Sequence, residues 1–230
     1  MFSPHLDDVV LNCCDHILDW KNKNSKITVV TIFTQFKTDV SINRIKERLL
    51  ETGFSSLEEQ ETQRKKEDIK AMQKLDVSWH HWGFVDGGFR IHENTLLYPK
   101  NTDLFSGITS LHDSHLAARL EKKFNRMRTF DKVVIPLGIG NNVDHVIVRK
   151  TAEKVFNPKQ IIYYVDYPYA LKPRNWLNKK LFDLIFKRKS IKSMSRKKKE
   201  ILKIYASQIK LLFKSFPNYP EIVLKNLTYS

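Results

Sequence analysis

Two short segments, far apart in the chain, carry side chains of the kinds that bind metal ions. The first, PHLDD at residues 4–8, places an imidazole and two carboxylates within four residues, directly before an apolar run. The second is NNVDH at residues 141–145. Adjacent carboxylates repel each other, and a bound cation together with a helix N-terminus would make the first segment favourable. The two segments therefore point to a metal site.

We expect these segments to meet at one edge of a sheet. NNVDH follows a predicted strand and precedes a predicted helix, and ligands of α/β sheets bind at the carboxyl ends of the strands. His5, Asp8 and His145 would then supply two imidazoles and one carboxylate. This is the ligand set of a catalytic zinc site that keeps one position open for water. Fe²⁺ or another divalent metal accepts the same ligands, so the metal's identity stays open.

The elements that would position these residues alternate between short β-branched runs and longer helical stretches. Strands are predicted over residues 27–33, 77–82, 131–137 and 160–165. Helices are predicted over residues 9–18, 58–74, 111–128, 144–156 and 194–213. Such alternation favours βα units, and so we predict a three-layer, Rossmann-like α/β fold whose mainly parallel sheet carries helices on both faces.

The connections raise two expectations. Loops are predicted over residues 34–44, 84–110 and 166–175, and the long middle loop is a candidate wall of a substrate site. The first motif begins at Ser3, which leaves no room for the strand that normally precedes it in such a fold. Either the native start lies upstream, or the sheet lacks that strand.

Composition limits the class of protein. A hydrophobic fraction of 41% over 230 residues suits a globular chain, read here as one domain over residues 1–230. No stretch reaches the roughly 18–20 apolar residues of a membrane span, and the N-terminus does not resemble a secretory signal. Cys13 and Cys14 are neighbours, unlike the cysteines of a disulfide framework. We expect a cytoplasmic protein.

The positive charge is concentrated near the C-terminus. Residues 172–214 contain 15 Lys and Arg against Asp183 and Glu200, which gives +13 of the chain's net +15. A basic helical part at about 172–214 has three readings: solvated surface, contact with an anionic membrane, or nucleic-acid binding. Large apolar side chains lie among the lysines, as in interfacial helices, at Trp176, Leu177, Leu181, Leu184 and Ile185. Nucleic acid is the weakest reading because no known nucleic-acid module is recognisable.

The motifs SPHLDDVVL and GIGNNVDHVIV together resemble the PIG-L/LmbE-like deacetylase family, which includes de-N-acetylases of N-acetylglucosaminyl conjugates. The segments RKKED, FVDGG, YYVDYPYA and YASQ extend the resemblance over most of the chain. It implies an LmbE-like fold and a zinc-dependent hydrolase that removes an N-acetyl group from an amino-sugar conjugate. It assigns zinc to His5, Asp8 and His145 and the role of general base to Asp7. The expected context is surface glycan or lipid-linked sugar synthesis.

The same resemblance assigns substrate contacts to Arg64 and Asp86. Each has an alternative reading: Arg64 lies in a charged run typical of a solvated helix face, and Asp86 precedes two glycines as a turn residue would. A guanidinium suits phosphate or carboxylate, and this favours a ligand contact at Arg64.

One departure from the family concerns Asn142, where relatives usually have a catalytic histidine. Asparagine can donate a neutral hydrogen bond but cannot transfer a proton, and loss of such a group costs about 10²- to 10³-fold in rate. His16, His80, His81 or His92 could replace it. Cys14 and Asp15 also replace paired glycines of the relatives. The alternative function is therefore a weakened relative that binds a glycan or an anionic surface without turnover.

Overall fold

The computed structural model describes residues 1–37, 43–172, 188–213 and 215–225. The helices of these ranges are α1 (Asp8–Asn22), α2 (Asn43–Thr52), α3 (Leu57–Leu75), α4 (Asn101–Leu104), α5 (Ser114–Asn125), α6 (Val143–Val155), α7 (Arg196–Leu202) and α8 (Ala206–Leu212). The strands are β1 (Phe2–Ser3), β2 (Thr28–Gln35), β3 (Ser78–Val85), β4 (Ile91–His92), β5 (Thr95–Leu96), β6 (Val133–Pro136), β7 (Ile161–Tyr164), β8 (Arg188–Lys192) and β9 (Glu221–Lys225). Short 3₁₀ helices cover Gly87–Phe89, Leu111–Asp113, Tyr169–Leu171 and Lys203–Tyr205.

The sheet is mainly parallel, as predicted. β1, β2 and β3 form one parallel ladder in that order, and β6 pairs in parallel with β7. β1 contacts β6, so the two ladders lie side by side. β9 runs antiparallel to both β7 and β8 and extends the second ladder. The carboxyl ends of β1 and β6 therefore meet near the middle of the molecule.

Helices cover both faces of the sheet, which confirms the predicted three layers. Alternate side chains of a strand point to opposite faces, and neighbouring residues of β2 accordingly enter different apolar clusters. Val30 packs with α5 and α6 residues such as Phe124 and Val148. Val29 packs on the other face with α1 and α3 residues such as Ile17 and Met72.

The predicted helix over 58–74 is confirmed as α3. Ser56 caps it by accepting a hydrogen bond from the Glu59 backbone N–H at 3.0 Å. Asp76 ends it in the left-handed conformation, with φ of 52°. The predicted helix over 144–156 is confirmed as α6, and the one over 111–128 is confirmed over its central part as α5.

Three predictions about connections are wrong. A strand does precede the first motif: β1 is only two residues long, and Phe2 pairs with Val30 of β2. The span 84–110 is not one loop, because it contains the hairpin β4–β5, α4 and a 3₁₀ turn. The span 172–214 is not helical throughout, because residues 188–192 form β8. Residues 173–187, including Trp176 and its apolar neighbours, lie outside the described residues.

The long helix predicted over 194–213 is also wrong in detail. It divides into α7 and α8 around a 3₁₀ turn at Lys203–Tyr205. The Tyr205 hydroxyl donates to Asp68 at 2.7 Å, and the Ser207 N–H donates to Glu67 at 3.2 Å. These contacts with α3 satisfy groups at the break. In the described part of the chain, no helix is both long and apolar enough to cross a bilayer.

Candidate active site

The three predicted metal ligands lie together at the carboxyl ends of β1 and β6. His5 follows β1, Asp8 begins α1, and His145 lies in the first turn of α6. The Asp8 Oδ2 atom is 3.2 Å from His5 Nδ1 and 3.3 Å from His145 Nε2. The two imidazole nitrogens are 3.3 Å apart. The sequence prediction that these residues meet is confirmed by the geometry.

The triangle has the dimensions of one face of a metal tetrahedron. Zinc–nitrogen and zinc–oxygen bonds of about 2.1 Å place neighbouring ligand atoms about 3.4 Å apart. All three side chains are buried or nearly so, and each offers one ligand atom to the common point. The residues present therefore fit a divalent metal with three protein ligands and an open position.

The electrostatics of the triangle also favour a cation. Burial by itself would lower the pKa of His5, but the carboxylates of Asp144 and Asp8 raise it well above its usual value. Burial opposes a positive charge on His145 as well, yet Asp8 and Asp166 raise its pKa to about 9. The carboxylates thus attract positive charge to the point where a metal ion would lie.

Two further aspartates hold the imidazoles in place. Asp166 Oδ1 lies 2.7 Å from His145 Nδ1, and Asp144 Oδ2 lies 3.0 Å from His5 Nε2. Carboxylates on the far nitrogens of metal-binding histidines fix the tautomer and the ring orientation. Asp144 lies inside the second motif and Asp166 inside YYVDYPYA, but neither segment by itself indicates that its aspartate contacts a histidine.

A second group of possible ligands, His5, Asp86 and Asp144, is a weaker metal site. The oxygens of Asp144 already accept hydrogen bonds from the Gly87 N–H at 2.8 Å and from the Arg90 guanidinium. The positive charge of the guanidinium already neutralises this carboxylate, which disfavours a second cation beside it. We therefore take His5, Asp8 and His145 as the candidate metal ligands.

Asp7 occupies the N-cap position of α1 without acting as a cap, because its side chain makes no capping hydrogen bond. It lines the pocket, where its Oδ2 atom is 3.7 Å from Arg64 Nη2. Burial raises the pKa of Asp7 to about 6, although Arg64 lowers it. Asp8 instead accepts the His5 backbone N–H at 2.8 Å. The Asp7 carboxylate is therefore not used to cap the helix.

The two predicted substrate residues both reach this pocket. Arg64 is only 9% exposed and its guanidinium lies 4.9 Å from the centre of the Phe36 ring, so the solvated-face reading is wrong. Asp86 accepts the Gly88 N–H at 2.8 Å, as the turn reading predicts, and it also lines the pocket. The turn reading of Asp86 is confirmed, and the substrate contact stays a prediction.

The pocket is a cavity of about 140 Å³ that opens to solvent, so a small ligand can enter it. Two of the three candidate ligands, His5 and Asp8, line it together with Asp7, Arg64 and Asp86. His145 is fully buried and is not among the described residues that line it. Its remaining walls come from the ends of α1, α4 and α8 and from the segment after β7, through Leu11, Leu104, Tyr167, Pro168, Tyr169, Gln208 and Leu212.

Asn142 lines the same pocket and caps α6. Its side-chain oxygen accepts the Asp144 N–H at 2.9 Å, and a side-chain hydrogen bond joins it to Tyr169. The carboxamide is thus held between a helix N-terminus and a phenol. It can donate or accept a hydrogen bond at the pocket surface.

The four histidines considered as replacements lie elsewhere. His16 is buried against Glu221, with 2.9 Å between Nδ1 and Oε2. His81 pairs with Asp68, His92 stacks on the ring of His112, and His80 is exposed. None of the four is among the described residues that line the pocket.

A family model and a curated relative both match this chain, and both are described as deacetylases. The family model PIG-L, described as GlcNAc-PI de-N-acetylase, matches residues 1–156. A curated relative, the 2'-N-acetylparomamine deacetylase of Streptomyces fradiae, is 26% identical over 175 residues, which are 74% of this chain and 57% of that relative. The match thus spans little more than half of the relative's length.

Solved structures share the fold. A structure of the zinc inhibited form of teicoplanin deacetylase Orf2 matches with a TM-score of 0.75 and 20% identity, over 97% of this chain and 95% of that one. The N,N'-diacetylchitobiose deacetylase of Pyrococcus horikoshii matches with a TM-score of 0.52 and 14% identity, over 93% and 70% of the two chains. The LmbE-like α/β fold predicted from the sequence is therefore confirmed.

Proposed function

Because the chain belongs to the PIG-L (GlcNAc-PI de-N-acetylase) family, we propose that it is a metal-dependent hydrolase that removes an N-acetyl group from an amino-sugar conjugate. One observation supports the proposal most strongly. The donor atoms of His5, Asp8 and His145 form a triangle of the size that a metal ion requires, and the carboxylate of Asp7, which does not cap the helix, lies beside it. A set of metal ligands beside a carboxylate that can accept a proton is suited to the hydrolysis of an amide.

The substrate class is supported by the names of the relatives. The family description, the paromamine deacetylase and the chitobiose deacetylase all refer to N-acetylated amino sugars. We propose the same class here, with a role in surface glycan or lipid-linked sugar synthesis. The pocket opens to solvent, so the remainder of the conjugate can extend outwards from the bound sugar.

In the reaction, Asp7 accepts a proton from the attacking water and returns it to the amine as the carbon–nitrogen bond breaks. When bound, a divalent metal would lower the pKa of water and polarise the acetyl carbonyl. Asp7 is suited to both transfers because burial brings its pKa to about 6, close to neutrality. The products are acetate and the free amino sugar.

The oxyanion of the tetrahedral intermediate is stabilised by hydrogen-bond donors. Asn142 and Tyr169 are bonded to each other and line the pocket, so we assign them this role. A neutral amide and a phenol stabilise the charge less than an imidazolium would. Turnover is therefore expected to be slower than with a histidine at position 142.

Arg64 and Asp86 are proposed to hold the sugar. Arg64 carries a buried Nε atom for which the described residues supply no hydrogen-bond partner. Such a group costs free energy unless a ligand satisfies it. Asp86 still has one carboxylate oxygen facing the pocket side, near His5 Nε2 at 3.6 Å, and a sugar hydroxyl could donate to it.

The metal is proposed to be Zn²⁺, with Fe²⁺ as the alternative. Two imidazoles and a carboxylate accept both ions. A zinc inhibited form exists for the teicoplanin deacetylase, so a test of metal identity should include several divalent ions at one equivalent.

The rival function is a binding protein without turnover. Asn142 favours this rival, because its side chain cannot transfer a proton and already accepts a hydrogen bond as the cap of α6. The rival would retain sugar binding at Arg64 and Asp86 but release no acetate.

A peripheral contact with an anionic membrane through residues 172–214 is proposed separately. Arg196, Lys197 and Lys199 are exposed on α7 and supply charge of the right sign. Lys198 does not contribute, because its Nζ atom is buried against Glu221 at 2.8 Å. Salt-sensitive sedimentation with vesicles containing phosphatidylserine tests this contact.

The proposed hydrolase is tested by acetate release from a panel of N-acetylhexosamine conjugates, with metal-loaded protein. The Asp7→Asn variant is the catalytic control, and Asp15→Asn on the same helix is the matched control for an aspartate outside the pocket. Acetate release that disappears only in Asp7→Asn supports the hydrolase. Sugar binding without acetate release supports the rival.

A further inference from the structure

We propose that Arg90 and Asp113 form a positioning pair that holds His5 in its metal-binding orientation through Asp144. The inference rests on the proposed function, because it concerns the metal that His5 would bind. Neither Arg90 nor Asp113 belongs to a motif discussed above, and neither touches the proposed metal point.

The first link between His5 and Arg90 is the carboxylate of Asp144. Its Oδ2 atom lies 3.0 Å from His5 Nε2 and accepts the Gly87 N–H at 2.8 Å. Its Oδ1 atom accepts a hydrogen bond from Arg90 Nη1. With both oxygens engaged, the carboxylate plane is fixed, and so is the His5 ring that bonds to it.

The second link is the Arg90 side chain, which Asp113 holds in place. Its Nη2 atom donates to Asp113 Oδ2 at 3.2 Å, and Asp113 also accepts the Tyr98 hydroxyl at 2.6 Å. Tyr98 in turn accepts the Ser110 N–H at 2.8 Å. The guanidinium is therefore held by a carboxylate on each side, and the segment 95–113 is tied to the metal site.

Burial makes these contacts energetically important. Asp144, Asp113 and Arg90 are 0%, 3% and 8% exposed. A buried carboxylate that loses its cationic partner must find water or rotate towards another donor. If Asp144 moved, His5 would lose the bond that orients its Nδ1 atom towards Asp8 and His145.

Gly87 allows this close arrangement. A Cβ atom at this position would lie 3.1 Å from both Arg90 Nη2 and Asp144 Oδ1, and 3.0 Å from a methyl carbon of Leu104. The DGG segment, in which Asp86 was expected to be a turn residue, thus also lets the Gly87 backbone and the Arg90 guanidinium both reach the Asp144 carboxylate.

The geometry calls for arginine at position 90. The planar guanidinium presents donors to two carboxylates at once, whereas a lysine is a single point of charge. Arg90→Lys keeps the positive charge but no longer presents a planar pair of donors to the two carboxylates. A control of the same type is Arg149→Lys on α6, since Arg149 donates only to the Leu137 carbonyl, at 3.0 Å, among the described contacts.

The experiment measures the Zn²⁺ Kd of each full-length variant by competition with a chromophoric chelator, and the Co²⁺ absorption spectrum, which reports ligand geometry. Loss of an outer-shell partner typically weakens metal binding about 10- to 100-fold. We expect a rise in Kd of that size and an altered Co²⁺ spectrum for Arg90→Lys, and wild-type values for Arg149→Lys. Thermal unfolding of the metal-free proteins shows whether each variant folds.

Asp113→Asn is the second variant and keeps the proposal falsifiable if Arg90→Lys does not fold. It should weaken Zn²⁺ binding in the same direction. Folded Arg90→Lys or Asp113→Asn protein with the wild-type Kd and Co²⁺ spectrum overturns this inference alone. Wild-type protein that binds no metal overturns both the inference and the proposed function.

Discussion

Asp7 and Asp8 are adjacent in the sequence but differ in their surroundings. Asp8 accepts a backbone N–H and faces two imidazoles, which lower the pKa of its carboxyl despite burial. Burial raises the pKa of Asp7 to about 6, although Arg64 at 3.7 Å and, to a smaller extent, His5 lower it. One carboxylate is thereby suited to hold a cation and the other to accept and return a proton.

This division of roles predicts the behaviour of Asp7→Asn. The variant should retain the metal, because its three ligands are untouched, and should lose about 10²- to 10⁴-fold in kcat. Metal content and acetate release measured on the same preparation check both statements. An Asp7→Asn protein with wild-type turnover would remove Asp7 from the mechanism.

Replacement of Asn142 by histidine is expected to change kcat in the opposite direction. Asn142→His should raise kcat by about 10²-fold if a protonated imidazole stabilises the oxyanion better than the amide. The variant also loses the cap of α6, which should cost about 1 kcal/mol of stability. Steady-state kinetics and thermal unfolding separate the two effects. Unchanged kcat would show that another group, such as Tyr169, already supplies the stabilisation.

At the scale of elements, α1 is fixed to the C-terminal part of the chain by a buried ionic network. Glu221 on β9 accepts the backbone N–H groups of Asp15 and His16, at 2.9 and 3.0 Å. It also pairs with Lys198 of α7 at 2.8 Å, and both side chains are fully buried. The network holds the helix that begins with Asp7 and Asp8.

Glu221→Gln should therefore destabilise the protein at neutral pH by about 3–5 kcal/mol, since it leaves Lys198 buried without its counter-charge. Burial would raise the pKa of Glu221, but Lys198 holds it below its ordinary value of 4.5. A depressed carboxyl pKa contributes stability above about pH 4.5 that is lost as the pH falls.

Urea unfolding at several pH values checks this prediction. The difference between wild type and Glu221→Gln should be largest near pH 7 and should shrink below pH 4.5. A difference that stays constant with pH would show that the Glu221 charge does not contribute to stability.

The elements differ in how far the sequence predicts them. α3 and the buried strand β2 follow from local signals, a Ser cap and a β-branched run. The break between α7 and α8 does not, because it depends on Tyr205 and Ser207 reaching α3 in the folded chain. β9 is likewise held by pairing with β7 and by the buried Glu221, neither of which has a local signature.

At the scale of the whole molecule, the candidate site is assembled by topology. His5 and His145 are 140 positions apart and meet because β1 and β6 lie side by side. The two motifs predict that these histidines meet, and the RKKED and FVDGG segments predict that Arg64 and Asp86 lie near them. The supporting contacts of Asp144, Asp166 and Arg90 were not predictable, because each depends on the partner that the fold brings within 3 Å or so.

A metal that bridges α1 and α6 should stabilise the whole chain. Binding only to the folded state contributes about 4 kcal/mol when the free metal exceeds its Kd 1,000-fold. Removal of the metal should therefore lower the Tm by on the order of 10 °C for a chain of this size. Calorimetry with and without chelator measures the shift, and His145→Ala, which lacks a ligand, should show none.

The most direct test of the proposed hydrolase is to titrate metal-free protein with Zn²⁺, and separately with Fe²⁺, while acetate release from an N-acetylhexosamine conjugate is measured. The rate should rise with added metal up to one equivalent per chain, and His145→Ala should show no rise. Acetate release that is independent of metal, or equally restored in His145→Ala, would contradict the assignment of the site.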